Sequence, residues 1–114
     1  MKKKTKAKAP SGKTKRAAAP ERRRDDDGKL WTVPQLMGQI VLIVCDLDDN
    51  LAPADVTRSA SFAGDFGWDD PFKLRLRKPV EQRLHEKVSA FQISERVKTV
   101  GDLADLVWSK MEPV

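Results

Sequence analysis

Asp55-Val-Thr-Arg-Ser-Ala60-Ser-Phe-Ala-Gly-Asp65-Phe-Gly-Trp-Asp-Asp70, followed by Pro71, is the stretch that decides how this chain folds. Ala54-Asp55-Val56 suits a short turn, and Ser59–Gly67 is loop chemistry, small and polar with glycines at 64 and 67. Asp69 or Asp70 can then cap a helix by accepting bonds from its first free amides. Pro71 fits the first turn, where a missing N–H is no loss. The stretch therefore separates one periodic apolar segment upstream from several downstream.

Upstream, a helix is expected to begin near Trp31, with Thr32 as N-cap and Pro34 in its first turn. Val33, Leu36, Met37, Ile40, Val44 and Leu47 recur at three- and four-residue spacing, which is one face of a helix. Gly38 weakens it by about 1 kcal/mol relative to Ala. The run Ile40–Cys45 is apolar all round, and a buried strand would read much the same. Downstream, Phe72, Leu76, Val80, Leu84, Val88 and Phe91 mark the core side of a long second helix. Pro79 interrupts it and predicts either a kink or two segments meeting at Lys78-Pro79. Phe72-Lys-Leu-Arg-Leu-Arg77 alternates like a strand but has no evident partner. Ser94–Val97 suits a short third helix. Thr99 caps a fourth over Val100–Met111, with Asp102 near the positive end of its dipole and Lys110 near the negative end.

Val56-Thr57-x-x-Ala60-Ser61-Phe62-x-x-Asp65-Phe66-Gly67-x-Asp69 resembles the acyl carrier proteins, where a similar run ends in Asp-Ser-Leu and the serine carries phosphopantetheine. Lys98-Thr99-Val100-Gly101-Asp102-Leu103 is similar to the opening of that family's last helix. The resemblance spans roughly residues 33–112 and implies an all-α fold, a four-helix acyl-carrier-protein-like bundle. In the family, the serine hydroxyl attacks coenzyme A and gains an arm whose thiol carries acyl chains. Here Asp70 occupies the phosphopantetheine-serine position and Pro71 replaces the leucine. A carboxylate is no substitute in that transfer, so no cofactor is expected. No serine stands at 69 or 71 to replace it, and Ser59 and Ser61 lie several residues upstream in the loop.

Family members usually present acids on the second helix. This chain has Lys73, Arg75, Arg77, Lys78 and Arg83 there. The implied role is a non-catalytic protein-binding or adaptor module, with Trp68, Asp70, Lys73, Arg77 and Lys78 on the partner-binding surface. Like charges across an interface are costly, so its partner should be acidic or phosphorylated. A merely solvated basic face is the plain alternative.

Charge divides the chain. Residues 1–29 hold twelve basic and four acidic side chains, a net of +8, whereas residues 30–114 carry a net of −3. No strongly apolar side chain falls between Lys2 and Lys29, so this basic arm is expected to be disordered, with the folded domain at 30–114. Nucleic-acid or polyanion binding through residues 2–29 is the first rival function, and would be salt-sensitive. No aromatic residue is interleaved in the arm for base stacking. No apolar anchor accompanies it for a membrane surface, and no run is long enough to span one. A lone cysteine, Cys45, permits no internal disulfide and suits a small core position in a cytoplasmic, monomeric protein.

Val41-Leu-Ile-Val-Cys-Asp46-Leu-Asp48 also resembles the first motif of haloacid-dehalogenase-type phosphatases, with Asp46 as nucleophile and Asp48 as acid/base beside magnesium. Asn50 replaces that motif's threonine, and the remaining residues supply no further buried strand, so the parallel sheet cannot be built. His85, the only histidine, lies off the apolar stripe and can pair with Glu81 at the surface. Trp68 is either a core residue or an exposed anchor for a protein partner.

Overall fold

The structure, a computed structural model, describes residues 21–114. Helix α1 (Val33–Leu47) starts as its sequence demands. Thr32 accepts the Gln35 amide, the Gln35 side chain accepts the Thr32 amide, and Pro34 lies in the first turn. The apolar run Ile40–Cys45 is helix, with Leu36, Ile40, Ile43 and Val44 fully buried.

The second helix is a rod of three unequal parts. Asp69 caps α2 (Asp70–Lys73) by accepting the Phe72 amide at 2.9 Å. A 3₁₀ turn over Leu74–Leu76 follows, and α3 (Arg77–Leu84) continues from it. The tightened turn lies where Pro79 cannot donate to the carbonyl of Arg75, one turn earlier, and where its ring crowds that oxygen. The expected stripe through Val88 and Phe91 is corrected. His85 adopts the left-handed conformation (φ 57°) and closes α3 by donating its amide to the Glu81 carbonyl at 3.1 Å. Val88 is still buried, but from a non-helical connection, while Phe91 is 70% exposed. The third helix, α4 (Ala90–Arg96), begins earlier than its apolar spacing suggested, because Ser89 and Gln92 form a capping box. Thr99 and Asp102 form another for α5 (Val100–Lys110).

α1 packs against both α3 and α5. The shared core holds Leu76, Val80 and Leu84 from the second rod, Ile93 from α4, and Val100, Leu103 and Val107 from α5. The long loop after α1 joins this core through Phe62 and Trp68, whose rings stack 5.2 Å apart. Its backbone is fastened to the start of α5. Phe62 donates to Lys98, Val100 to Ala60, and Gly101 to the Arg58 carbonyl at 2.8 Å. A Cβ at position 101 would stand 2.9 Å from that same carbonyl, so glycine is required there.

Two expectations are corrected at the N-terminal side. The chain is mostly helical but not all-α, and residues 21–29 belong to the fold. Strands β1 (Arg23–Arg24), β2 (Leu30–Trp31) and β3 (Glu112–Pro113) form an antiparallel sheet in the order β2-β1-β3. Arg23 faces Trp31 on one side and Pro113 on the other. Apolar content did not predict this because the anchor is polar. Asp25 is buried, and its carboxylate accepts the Asp27 and Lys29 amides, the Trp31 indole N–H at 2.8 Å, and a 2.8 Å bond shared with His85 Nδ1. His85 thus pairs with Asp25, not with the Glu81 side chain. Residues 1–20, the greater part of the expected disordered arm, lie outside the described residues.

Asp25→Ala leaves the indole and two amides short of an acceptor. It should destabilise the protein by about 3 kcal/mol in chemical denaturation. Hydrogen exchange at the Lys29 amide should accelerate before the helices open.

Candidate docking surface

The start of α2 is where the sequence placed both the missing arm and the partner surface. Asp70 stands at the first helical position with its side chain 70% exposed. Its carboxylate offers no hydroxyl to coenzyme A, so the residues present do not fit a phosphopantetheine arm. Ser61 Oγ accepts the Gly64 and Asp65 amides at 2.9 and 3.0 Å, which makes it the cap of the turn before Trp68. The hydroxyls of Ser59 and Thr57 lie 3.5 Å apart on the loop surface.

Two of the expected contact residues are corrected by burial. Trp68 is 5% exposed, ringed by Phe62, Phe66 and Phe72, and its indole donates to Asp48 at 2.9 Å. That bond is the largest influence on Asp48 and, with the Asn50 backbone bond, holds its carboxyl below the usual range. Lys73 is also buried. Its ammonium donates to the Val97 carbonyl at 2.8 Å and lies 3.8 Å from Asp70, tying α2 to the end of α4. A side chain committed in this way cannot reach a partner. Arg83 is likewise engaged, at 3.1 Å from Asp46 on α1.

Asp70, Arg77 and Lys78 remain exposed. The latter two line an open cleft of about 490 Å³ together with Leu74, Arg75, Glu81, Lys87 and Val88. The guanidinium of Arg75 lies 5.0 Å from the centre of the Phe72 ring, and Arg77 Nε donates to the Val88 carbonyl at 3.3 Å. Arg75, counted on the basic helix face, was left out of the expected contact set, and Lys87 was missed altogether. Arg75 could have been found from its i, i+3 relation to Lys78. Lys87 could not be found from a helical pattern, because it reaches the cleft from the connection after His85.

The phosphatase resemblance does not acquire its geometry. Asp46 and Asp48 sit at the end of a helix rather than a strand, one paired with Arg83 and the other with Trp68. Cys45, partly buried, has its thiol pushed up by burial first and by Asp46, Asp55 and Asp48 after it.

A smaller cleft of about 280 Å³ adjoins the basic one, sharing Glu81 and Lys87 and adding Asp26, Asp27 and His85. Behind it, burial first, then Asp26 and Asp25, hold the Glu86 carboxyl up at about 7, against a partial offset from Lys110. Asp25 shows the opposite balance. Burial works against its charge, but the Trp31 and His85 bonds and the Lys29 amide outweigh it and keep the carboxyl below the usual range. No protein-family model matches the chain, and no curated protein matches it in sequence.

The two carboxyls give stability opposite slopes with pH. Glu86 keeps its proton in the folded state up to about 7, whereas the unfolded chain releases it near 4.5. Its contribution is therefore full below 4.5 and is lost as pH rises through about 7. Asp25 contributes above its unfolded value of 3.8, and that contribution is lost as pH falls through its lower folded value. Denaturation midpoints should decline between pH 4.5 and 7, and Glu86→Gln should flatten this limb while leaving the acid limb intact.

Proposed function

We propose that residues 30–114 are an acyl-carrier-like helical domain that has lost its arm and serves as a non-catalytic adaptor. In this reading it docks an acidic protein surface with the exposed face that follows Asp70. Three features support it. The helices follow the order and spacing that the resemblance implies, with a long loop after the first. The two sequence blocks that carry the resemblance touch one another: Phe62 donates to the Lys98 carbonyl, and the Val100 and Gly101 amides donate to Ala60 and Arg58. The family's acidic helix face is replaced by a basic one in Arg75, Arg77 and Lys78.

One observation carries the conclusion. The carboxylate of Asp70 stands exposed at the first position of α2, one turn before a basic cleft, with Ser61 engaged in a loop turn and Ser59 on the loop surface eleven residues upstream. Attachment chemistry has no group to use there, whereas binding has a surface to use.

Incubated with coenzyme A and a broad-specificity phosphopantetheinyl transferase, the chain should show no gain in intact mass. Restoring the family residues with Asp70→Ser and Pro71→Leu together should give a gain of one phosphopantetheine. A gain by the unsubstituted chain, at Ser61 or Ser59, would make it a working carrier and overturn the loss of function. No gain by the doubly substituted chain, with helical circular dichroism retained, would remove the carrier likeness itself.

A further inference from the structure

We infer that the cleft between the second helical rod and the connection after His85 binds a short acidic peptide segment carrying an apolar side chain. This rests on the adaptor reading and names the chemistry of its partner. Four cations converge on the cleft, Arg75, Arg77 and Lys78 from the rod and Lys87 from the connection, against the single carboxylate of Glu81. Two of the four are already positioned. Arg77 is held by the Val88 carbonyl and Arg75 by the face of Phe72. Ordering them in advance lowers the entropy lost when a carboxylate arrives. Lys78 and Lys87 donate no hydrogen bond to another described residue, and their ammonium groups are the ones free to answer a ligand.

Two apolar side chains lie among the charged ones: Leu74, half-buried, and Val88, almost wholly buried. A ligand made only of charges would cover these side chains without gaining from them. One with a leucine or similar side chain would bury it against Leu74, at the edge of Val88. The surrounding charge also favours a short anionic segment over a long polyanion. Glu81 borders the cleft and lines the adjoining one with Asp26 and Asp27, and residues 30–114 as a whole carry a net charge of −3. A nucleic-acid strand continuing in that direction would meet carboxylates, whereas a peptide with a few acids around an apolar anchor fits the island of positive charge.

The probe is a fluorescent peptide with a leucine flanked on each side by two glutamates, titrated into the full chain and read by anisotropy. Two controls separate the cleft from the basic residues 2–16. One is the same peptide with serine in place of leucine, and the other is the chain with Lys78→Glu and Lys87→Glu. Those two lysines donate no hydrogen bond to another described residue, and an unchanged melting temperature checks that the fold does not depend on them. The expected result is a loss of about tenfold or more on the double reversal, and a weaker interaction of the serine peptide with the original chain only. The Leu74 and Val88 amide resonances should shift on titration and remain still in the variant.

Equal binding of the two peptides, unaffected by the reversals, would place the interaction on residues 2–16 and overturn the proposal. An oligonucleotide of equal charge that binds as tightly and loses as much in the variant would make the cleft a phosphate site and overturn it too. Concentration-dependent dimers abolished by Lys87→Glu would assign the cleft to a second copy, with the same consequence. Peptide failure alongside a successful Asp70→Ser and Pro71→Leu mass gain would defeat the cleft while leaving the carrier-like reading standing. A mass gain by the unsubstituted chain would defeat that reading whatever the peptide does.

Discussion

The attachment of the long loop to the start of α5 is the constraint on which the other parts depend. A loop of that length carries many backbone groups that must find partners once Phe62 and Trp68 draw it into the core. It finds them at Lys98, Val100 and Gly101, where the amides at the start of α5 and the carbonyl before it have no intrahelical partner. The close approach at Gly101 makes this possible, since any side chain there would meet the Arg58 carbonyl. With the loop fixed at Phe62, the turn capped by Ser61 presents Trp68 to the core, and the next residue, Asp69, becomes the cap that starts α2. The position of Asp70, and so of the cleft that follows it, is set by that chain of contacts.

A second anchor is polar and holds the other end of the domain. Four donors meeting one buried carboxylate at Asp25 can offset its loss of water, and they hold β1 against β2 and the bundle with little apolar area. Arg23 adds to this by donating to the Trp108 carbonyl at 3.0 Å with its guanidinium 5.0 Å from the Trp108 ring centre. The same anchor shapes the basic cleft. His85 must turn out of the helix to reach Asp25, and this left-handed residue redirects the chain so that Lys87 and Val88 return to the cleft.

Local signals in the sequence were legible where they had local causes. Thr32, Asp69 and Thr99 are the caps that their positions implied, and the Pro79 break lies beside the residues it crowds. The Ser89–Gln92 capping box was equally local but was overshadowed by the apolar spacing of Val88 and Phe91, which satisfies a helical pattern without belonging to one helix. The N-terminal strands were illegible for a different reason. Composition detects the driving force of apolar burial, and the segment from Glu21 to Lys29 is held by hydrogen bonds instead. An Asp-Asp-Asp-Gly run is a turn signal, but its meaning depends on His85, sixty residues away.

The candidate surface shows why charge counted along a helix overstates what a partner can meet. Lys73, Arg75, Arg77, Lys78 and Arg83 form one basic series in sequence, yet the fold uses two of them for itself. Lys73 supplies the Val97 carbonyl that ends α4 with a donor, and Arg83 joins Asp46 at the end of α1. Both are cations near helix C-termini, where exposed carbonyls and the dipole favour them. Arg75 and Arg77 are partly engaged and keep their charge at the cleft, so they contribute to both roles. What leaves a cation at the cleft rather than committed to the fold is therefore not its place in the helical repeat. The deciding factor is whether a helix end from another part of the chain comes within reach of it.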